Sequence, residues 1–246
     1  MQLNKWLNLV ELGKKWIGKL SNWVSAMLYK ISVLKNDNSS FQILKERLWE
    51  NSEDLKYLYY LVTKSNWKIT WEDLVKYTNI ENWRIEWIYY DELYIDNTVE
   101  IEVFKKFKKI RRLYIEWVEK VVFPDLEEIK VHDKKDWVLI LEGVEDFQAP
   151  LLESIGSLHL DRVGHLDLSK LKKVKDIFWI SNVSNVEFNI DKVDLLEIKN
   201  SENVKIFVEG SINNIVLEHT NNVEISAKNI WKIIKKEDKR TKLFVN

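Results

Sequence analysis

Between Leu113 and Val174 the chain repeats one spacing of apolar positions three times. The first copy places Leu113, Ile115, Val118, Val121, Phe123, Leu126 and Ile129 at fixed offsets. The second places Leu139, Leu141, Val144, Phe147, Ala149, Leu152 and Ile155 there, and the third Leu158, Leu160, Val163, Leu166, Leu168, Leu171 and Val174. The steps run two, three, three, two, three, three. A step of two is strand alternation. A step of three lets the chain turn a corner and still point inward. A helix would mix steps of three and four and would disfavour so many Val and Ile residues. Each repeat therefore predicts two short strands and two corners, one turn of a flattened right-handed coil. A period of about 20 residues is that of a solenoid, whose turns bury their apolar sides only by stacking.

Weaker copies flank this centre. Before it come Leu93, Ile95, Ile101, Val103, Phe107 and Ile110, with Thr98 in one core slot. After it, copies open at Phe178, Leu196 and Ile215, so repeats start at 93, 113, 139, 158, 178, 196 and 215. The one long interval, from 113 to 139, requires a loop, and Lys130–Asp136 has the polar composition of one. The C-terminal stretch reads as a solvated turn followed by a last short strand, Leu243–Val245.

The first 80 residues carry a helical period instead. Trp6, Leu9, Val10, Trp16, Ile17, Leu20, Val24, Met27, Ile31 and Leu34 recur at steps of three and four, which predicts an amphipathic helix over 1–35. A second helix is predicted from Ser39 or Ser40 to about Glu50, with Phe41, Leu44, Leu48 and Trp49 inward. Ser52 suits the cap of a third, which buries Leu55, Leu58, Tyr59, Leu61 and Val62. Thr70-Trp71-Glu72-Asp73 has the form of a capping box with Asp in place of Glu, opening a short helix to about Thr78. From Trp83 the chain alternates as a strand. The division is thus a helical N-terminal or capping region, 1–82, and a seven-coil solenoid with its C-terminal cap, 83–246; the fold class is α+β.

Composition narrows the function. The formal net charge of −1 gives no global basic field, so no nucleic-acid partner is expected. Residues 1–35 nonetheless hold six lysines against one acid. A basic, Trp-containing amphipathic helix can lie on an anionic membrane surface. Packing on the neighbouring helices is the preferred reading, because those helices need a partner. With no cysteine there is neither a disulfide nor a thiolate site. The lysines break any secretory signal, and no run of 18 uncharged apolar residues exists, so an intracellular, cytoplasmic protein is expected.

F-P-D-L-E-E-I at 123–129 and A-P-L-L-E-S-I-G at 149–156 each follow an L-x-I/L-x-x-V segment. These resemble the repeats of leucine-rich-repeat proteins, most nearly the receptor L-domain type, over about residues 93–232. The resemblance implies a solenoid that binds other proteins or glycans through a strand-lined surface. The chain departs from that family in lacking cysteines and a secretion signal.

If the first strand of each coil lines one sheet, its outward residues form columns. One column reads Tyr94, Tyr114, Ile140, His159, Trp179, Glu197, Val216, and the next Asp96, Glu116, Glu142, Asp161, Ser181, Lys199, Glu218. Trp117 and Arg162 lie adjacent. Stacked acids repel one another, so a run of four suggests a partner with a basic surface. Exposed aligned aromatics suggest an interaction patch. The binding residues expected are therefore Tyr94, Tyr114, Trp117, His159, Trp179, Asp96, Glu116, Glu142, Asp161 and Arg162. Asn185, Asn203 and Asn222 share one offset and Asn182 and Asn200 another, which reads as structural Asn ladders at corners.

Catalytic chemistry has little support. His159/Asp161 and His165/Asp167 form His-x-Asp pairs near Ser157 and Ser169, but no nucleophile elbow, HExxH or phosphate loop accompanies them. No metal or cofactor is expected. The leading expectation is a non-enzymatic protein-interaction module. The alternatives are a peripheral membrane or assembly protein anchored by 1–35, and a glycan-binding β-helix.

Overall fold

A computed structural model describes residues 38–99, 104–129 and 139–245. The amphipathic stretch 1–35, Ile101, Val103 and the polar loop Lys130–Asp136 lie outside them. Among the described residues three helices, α1 (Asn38–Arg47), α2 (Glu53–Lys64) and α3 (Trp71–Tyr77), precede a mostly parallel β-solenoid. The local signals act as expected for α2 and α3. Ser52 Oγ accepts from Leu55 N at 3.0 Å. Thr70 Oγ1 accepts from Asp73 N at 3.2 Å while Asp73 Oδ2 accepts from Thr70 N at 3.1 Å, a reciprocal capping box. The expected inward residues of α1 and α2 are buried, except Trp49, which is exposed because α1 stops at Arg47 and leaves Trp49 in the following turn.

A short antiparallel strand, Thr78–Glu81, pairs with Arg84–Ile95 and replaces the helical end expected near residue 80. Its two-residue loop, Asn82-Trp83, holds both residues at positive φ (49° and 63°), the geometry of a type I′ hairpin turn. The long strand then enters the coils. The helices are tied to this entry by Lys106 Nζ bonded to Asp54, by the Tyr57 hydroxyl donating to Lys105 O, and by Lys68 Nζ 2.6 Å from Asp96 Oδ2.

The repeat starts stack in one column. Leu93 pairs with Leu113, Leu113 with Leu139, Leu139 with Leu158, Leu158 with Phe178, Phe178 with Leu196, and Leu196 with Ile215. Ile215 then pairs with Ile233, so the described residues hold about eight turns rather than seven. The last turn escapes the apolar pattern because Lys235 occupies the inward column that Leu217 fills one rung earlier. Its ammonium lies 3.1 Å from Asp238 Oδ2, and Asp238 also accepts from Thr220 Oγ1 at 2.6 Å. Burial pushes the Asp238 pKa up, but hydrogen bonds from Thr220, Thr241 and Lys235 outweigh it and hold the carboxyl below its usual range.

The best-kept turns have three strand segments, not two, while the C-terminal turns merge them into longer strands such as Glu202–Glu218. The first face is Leu113–Glu116, Leu139–Glu142 and Leu158–Asp161; the earlier part of the strand Phe107–Glu116 pairs instead with Glu128–Ile129. The second is Lys120–Val122, Asp146–Gln148 and His165–Asp167, a separate three-stranded parallel sheet. The third consists of the pairs Glu128–Ile129, Ser154–Ile155 and Lys173–Val174. Two-residue strands contain one inward side chain and so show no alternation. The turns before them are Pro124-Asp125, Pro150-Leu151 and Ser169-Lys170.

The core is one continuous cluster running from α1 to the last turn. Of the 21 apolar positions in the three central repeats, all are buried except Val118 and Leu166, which are half-buried. Phe104, Phe123 and Phe147 stack along the axis, with centroids 4.5 and 6.2 Å apart. In the first turn Val99 is buried and Thr98 exposed; the slot assigned to Thr98 is filled one residue later.

Candidate interaction surface

The first face is a parallel sheet, and parallel register carries each outward residue onto its counterpart. Tyr94 pairs with Tyr114, Tyr114 with Ile140, Ile140 with His159, His159 with Trp179, and Trp179 with Glu197. Glu116, Glu142, Asp161, Ser181, Lys199 and Glu218 follow in the second column. Both columns are thus real alignments of neighbouring strands. Asp96 lies just beyond the strand that ends at Ile95.

The aromatic column is uneven in its exposure. Tyr94 is 39% exposed and Trp117 53%, while Tyr114, His159 and Trp179 are half-buried. His159 packs edge-on against Trp179, with centroids 3.5 Å apart, and burial lowers its pKa to about 4. The imidazole is therefore neutral at physiological pH and forms part of the apolar ladder.

The acidic column differs from its sequence appearance, because every acid at its upper end has a partner within the chain. Asp96 is bonded to Lys68 and Thr98, which hold its carboxyl down to about 2. Glu116 accepts from the Tyr94 hydroxyl at 2.8 Å, and that bond pushes the phenol up to about 12. Arg162 reaches Glu142 at 2.5 Å and Asp161 at 2.8 Å, and Asp161 also accepts from Asn182 Nδ2 at 2.6 Å. Further along, Lys199 bridges Glu197 (2.7 Å) and Glu218 (3.6 Å). The repulsion expected of stacked acids is relieved by cations and donors that reach diagonally across rungs.

At the corner after the first face the chain passes through the left-handed region in turn after turn: Trp117 (φ 54°), Gly143 (62°), Arg162 (51°), Asn182 (53°), Asn200 (45°) and His219 (51°). Gly143 has no side chain, and the Trp117 indole lies over it; a Cβ at Gly143 would stand 2.8 Å from Cζ3 and 2.9 Å from Cδ2. From the next rung the Arg162 guanidinium covers the same indole at 4.8 Å. Trp117 is thus seated by a glycine and capped by an arginine, yet half of it faces solvent. Sequence columns placed Trp117 and Arg162 side by side; the glycine seat was not among the expected residues.

The second corner carries the asparagine ladder. Asn185, Asn203 and Asn222 all have positive φ, and each amide donates to the one before it, Asn203 to Asn185 at 2.9 Å and Asn222 to Asn203 at 2.7 Å. Asn tolerates the left-handed region better than other L residues, so the ladder is structural.

The second His-x-Asp pair falls elsewhere. The rungs His165–Asp167 and Ser184–Ile190 belong to different sheets and do not pair, which leaves a cleft of about 330 Å³ rimmed by His165, Asp167, Ser169, Asn185 and Glu187. The break falls where the turn at Ser169-Lys170 gives way to the straight strand Ser184–Ile190. His165 Nδ1 is 2.8 Å from Asp146 Oδ1, and Asp167 Oδ1 accepts from Ser169 N at 3.2 Å. These contacts engage the His165 and Asp167 side chains separately; Ser169 takes part through its backbone N–H, and neither contact is a nucleophile–base pair. Among the described residues no group of three His, Asp or Glu could hold a metal, and no helix is long and apolar enough to cross a membrane. No protein-family model, curated protein or solved structure matches the chain.

Proposed function

We propose that this chain is a non-enzymatic protein-interaction module, an intracellular repeat scaffold that binds its partner through the first face of the solenoid. One observation carries the reading: Tyr94, Tyr114, Ile140, His159 and Trp179 form a continuous apolar ladder on a parallel sheet, with Trp117 held at its edge. Large aromatics in fixed rotamers lose little entropy on binding and dominate interface energetics. The acidic column supports the ladder rather than leading recognition. Asp96, Glu116, Glu142 and Asp161 are already bonded within the chain, so a basic group on the partner must displace Lys68, Tyr94 or Arg162 to reach them.

The finer type proposed for about residues 93–232 is the leucine-rich-repeat, receptor L-domain kind. In its support, Phe123, Leu126, Ile129 and their counterparts Ala149, Leu152, Ile155 are buried around the turns at Pro124 and Pro150.

The test is a triple substitution, Tyr114→Ser, Trp117→Ser and Trp179→Ser, used as bait in the native host beside a control away from the ladder, Phe207→Ser, exposed where strand Glu202–Glu218 pairs with Ser184–Ile190. Loss of the specific partner in the triple variant alone, with circular dichroism unchanged, is the expected result. An unchanged partner set refutes the surface.

A further inference from the structure

The last turn ends in a second surface of different chemistry. Strand Glu224–Lys236 pairs on one side with Glu202–Glu218 along most of its length. On its other side only Glu224–Ala227 is paired, with Lys242–Val245. Among the described residues, the outer edge of 229–236 meets no strand. Alternate main-chain N–H and C=O groups of a parallel strand face each neighbour, so this edge presents a row of unused donors and acceptors.

Proteins blunt such edges with lysines, inward charges and short strands. Two of these devices are present here: Lys232 and Lys236 on the outward side, and the inward Lys235–Asp238 pair. A merely blunted edge, however, would not carry three exposed large apolar residues: Trp231 is 79% exposed, and Ile233 and Ile234 join it, with Phe244 and Val245 exposed on the adjacent strand. Residues 224–245 hold seven basic residues against three acids. That charge disfavours a second copy of the same edge, and equally the stretch 1–35 with its six lysines. It favours an acidic occupant.

We propose that the outer edge of 229–236 receives an extended acidic segment of a partner protein as an added β-strand. Main-chain hydrogen bonds supply the affinity. Specificity comes from carboxylates opposite Lys232 and Lys236 and apolar side chains against Trp231, Ile233 and Ile234.

The experiment uses the full chain and two synthetic seven-residue peptides of alternating Glu and Val or alternating Lys and Val, titrated by calorimetry. The Glu peptide is expected to bind saturably and more weakly as salt rises, to slow amide exchange within 229–236, and to leave the Lys peptide without signal. The variant Lys232→Glu/Lys236→Glu should lose at least tenfold in affinity for the Glu peptide and gain affinity for the Lys peptide. No saturable binding, equal binding of both peptides, or binding unmoved by the charge reversal overturns the proposal. So does sedimentation showing a dimer formed through this edge, or flotation with phosphatidylserine vesicles that the charge reversal abolishes while no peptide binds. The Tyr114/Trp117/Trp179 triple variant should bind the Glu peptide normally, so this surface and the first face stand or fall separately.

Discussion

Substituting Gly143 with Ala tests how the Trp117 seat is built. Two separable costs follow from the geometry. The first belongs to the backbone: an L residue at φ 62° costs about 1 kcal/mol relative to glycine. The second belongs to the ring. A Cβ at 2.8 and 2.9 Å from Cζ3 and Cδ2 cannot coexist with the indole where it lies, so Trp117 must rotate off its seat and out from under Arg162. Losing an exposed cation–π contact together with part of the ring's burial adds about 1 kcal/mol. Gly143→Ala should therefore destabilise the protein by about 2 kcal/mol. In a Trp117→Ala background no ring remains to clash, and the same change should cost only the backbone share of about 1 kcal/mol. The assay is a double-mutant cycle by urea unfolding, followed by far-ultraviolet circular dichroism because twelve tryptophans confuse a fluorescence readout. A coupling of about 1 kcal/mol is expected. Equal costs in the two backgrounds would refute the seat.

Other consequences can be checked with simpler variants. Phe123→Ala removes a fully buried ring stacked on Phe104 and should cost about 3–5 kcal/mol in denaturant unfolding. Asn203→Ala breaks the ladder bonds to Asn185 and Asn222 and leaves alanine at φ 53°, costing about 2 kcal/mol, whereas Asn203→Gly keeps the backbone comfortable and should cost about half as much. His159 is held neutral in the fold, with its pKa lowered from 6.5 to about 4, so the unfolded chain takes up a proton first as pH falls. Its contribution is complete above about pH 6.5 and should fade between pH 6.5 and 4 by about 1–2 kcal/mol after allowance for solvent, with His159→Phe flat in that window. Asp146, lowered to about 2 by hydrogen bonds from Lys120 and then His165, contributes above about pH 3.8; that part is lost between pH 3.8 and 2, a separate step that Asp146→Asn should remove.

The register of the solenoid was legible because a parallel coil repeats its offsets without interruption, so Leu93, Leu113, Leu139, Leu158, Phe178, Leu196 and Ile215 could be aligned by spacing alone. What escaped has identifiable causes. The third face is carried by two-residue strands such as Glu128–Ile129, too short to alternate. The last rung carries Lys235 where an apolar residue would have marked it. The hairpin turn is Asn82-Trp83, without the glycine that usually signals a type I′ loop. The outward columns followed from the register. Their internal bonds did not, because Arg162 and Lys199 reach across rungs by routes that spacing does not encode. The burial of His159 by Trp179 depends on rotamers in the same way.

The most direct test of the interaction surface is hydroxyl-radical footprinting of aromatic side chains, free and with the captured partner bound. Protection concentrated on Tyr94, Tyr114, Trp117 and Trp179, with Trp49, Trp83 and Phe207 unchanged, is the predicted result. Protection of Phe207 or Trp49, with the first-face ladder as reactive as in the free protein, would contradict it.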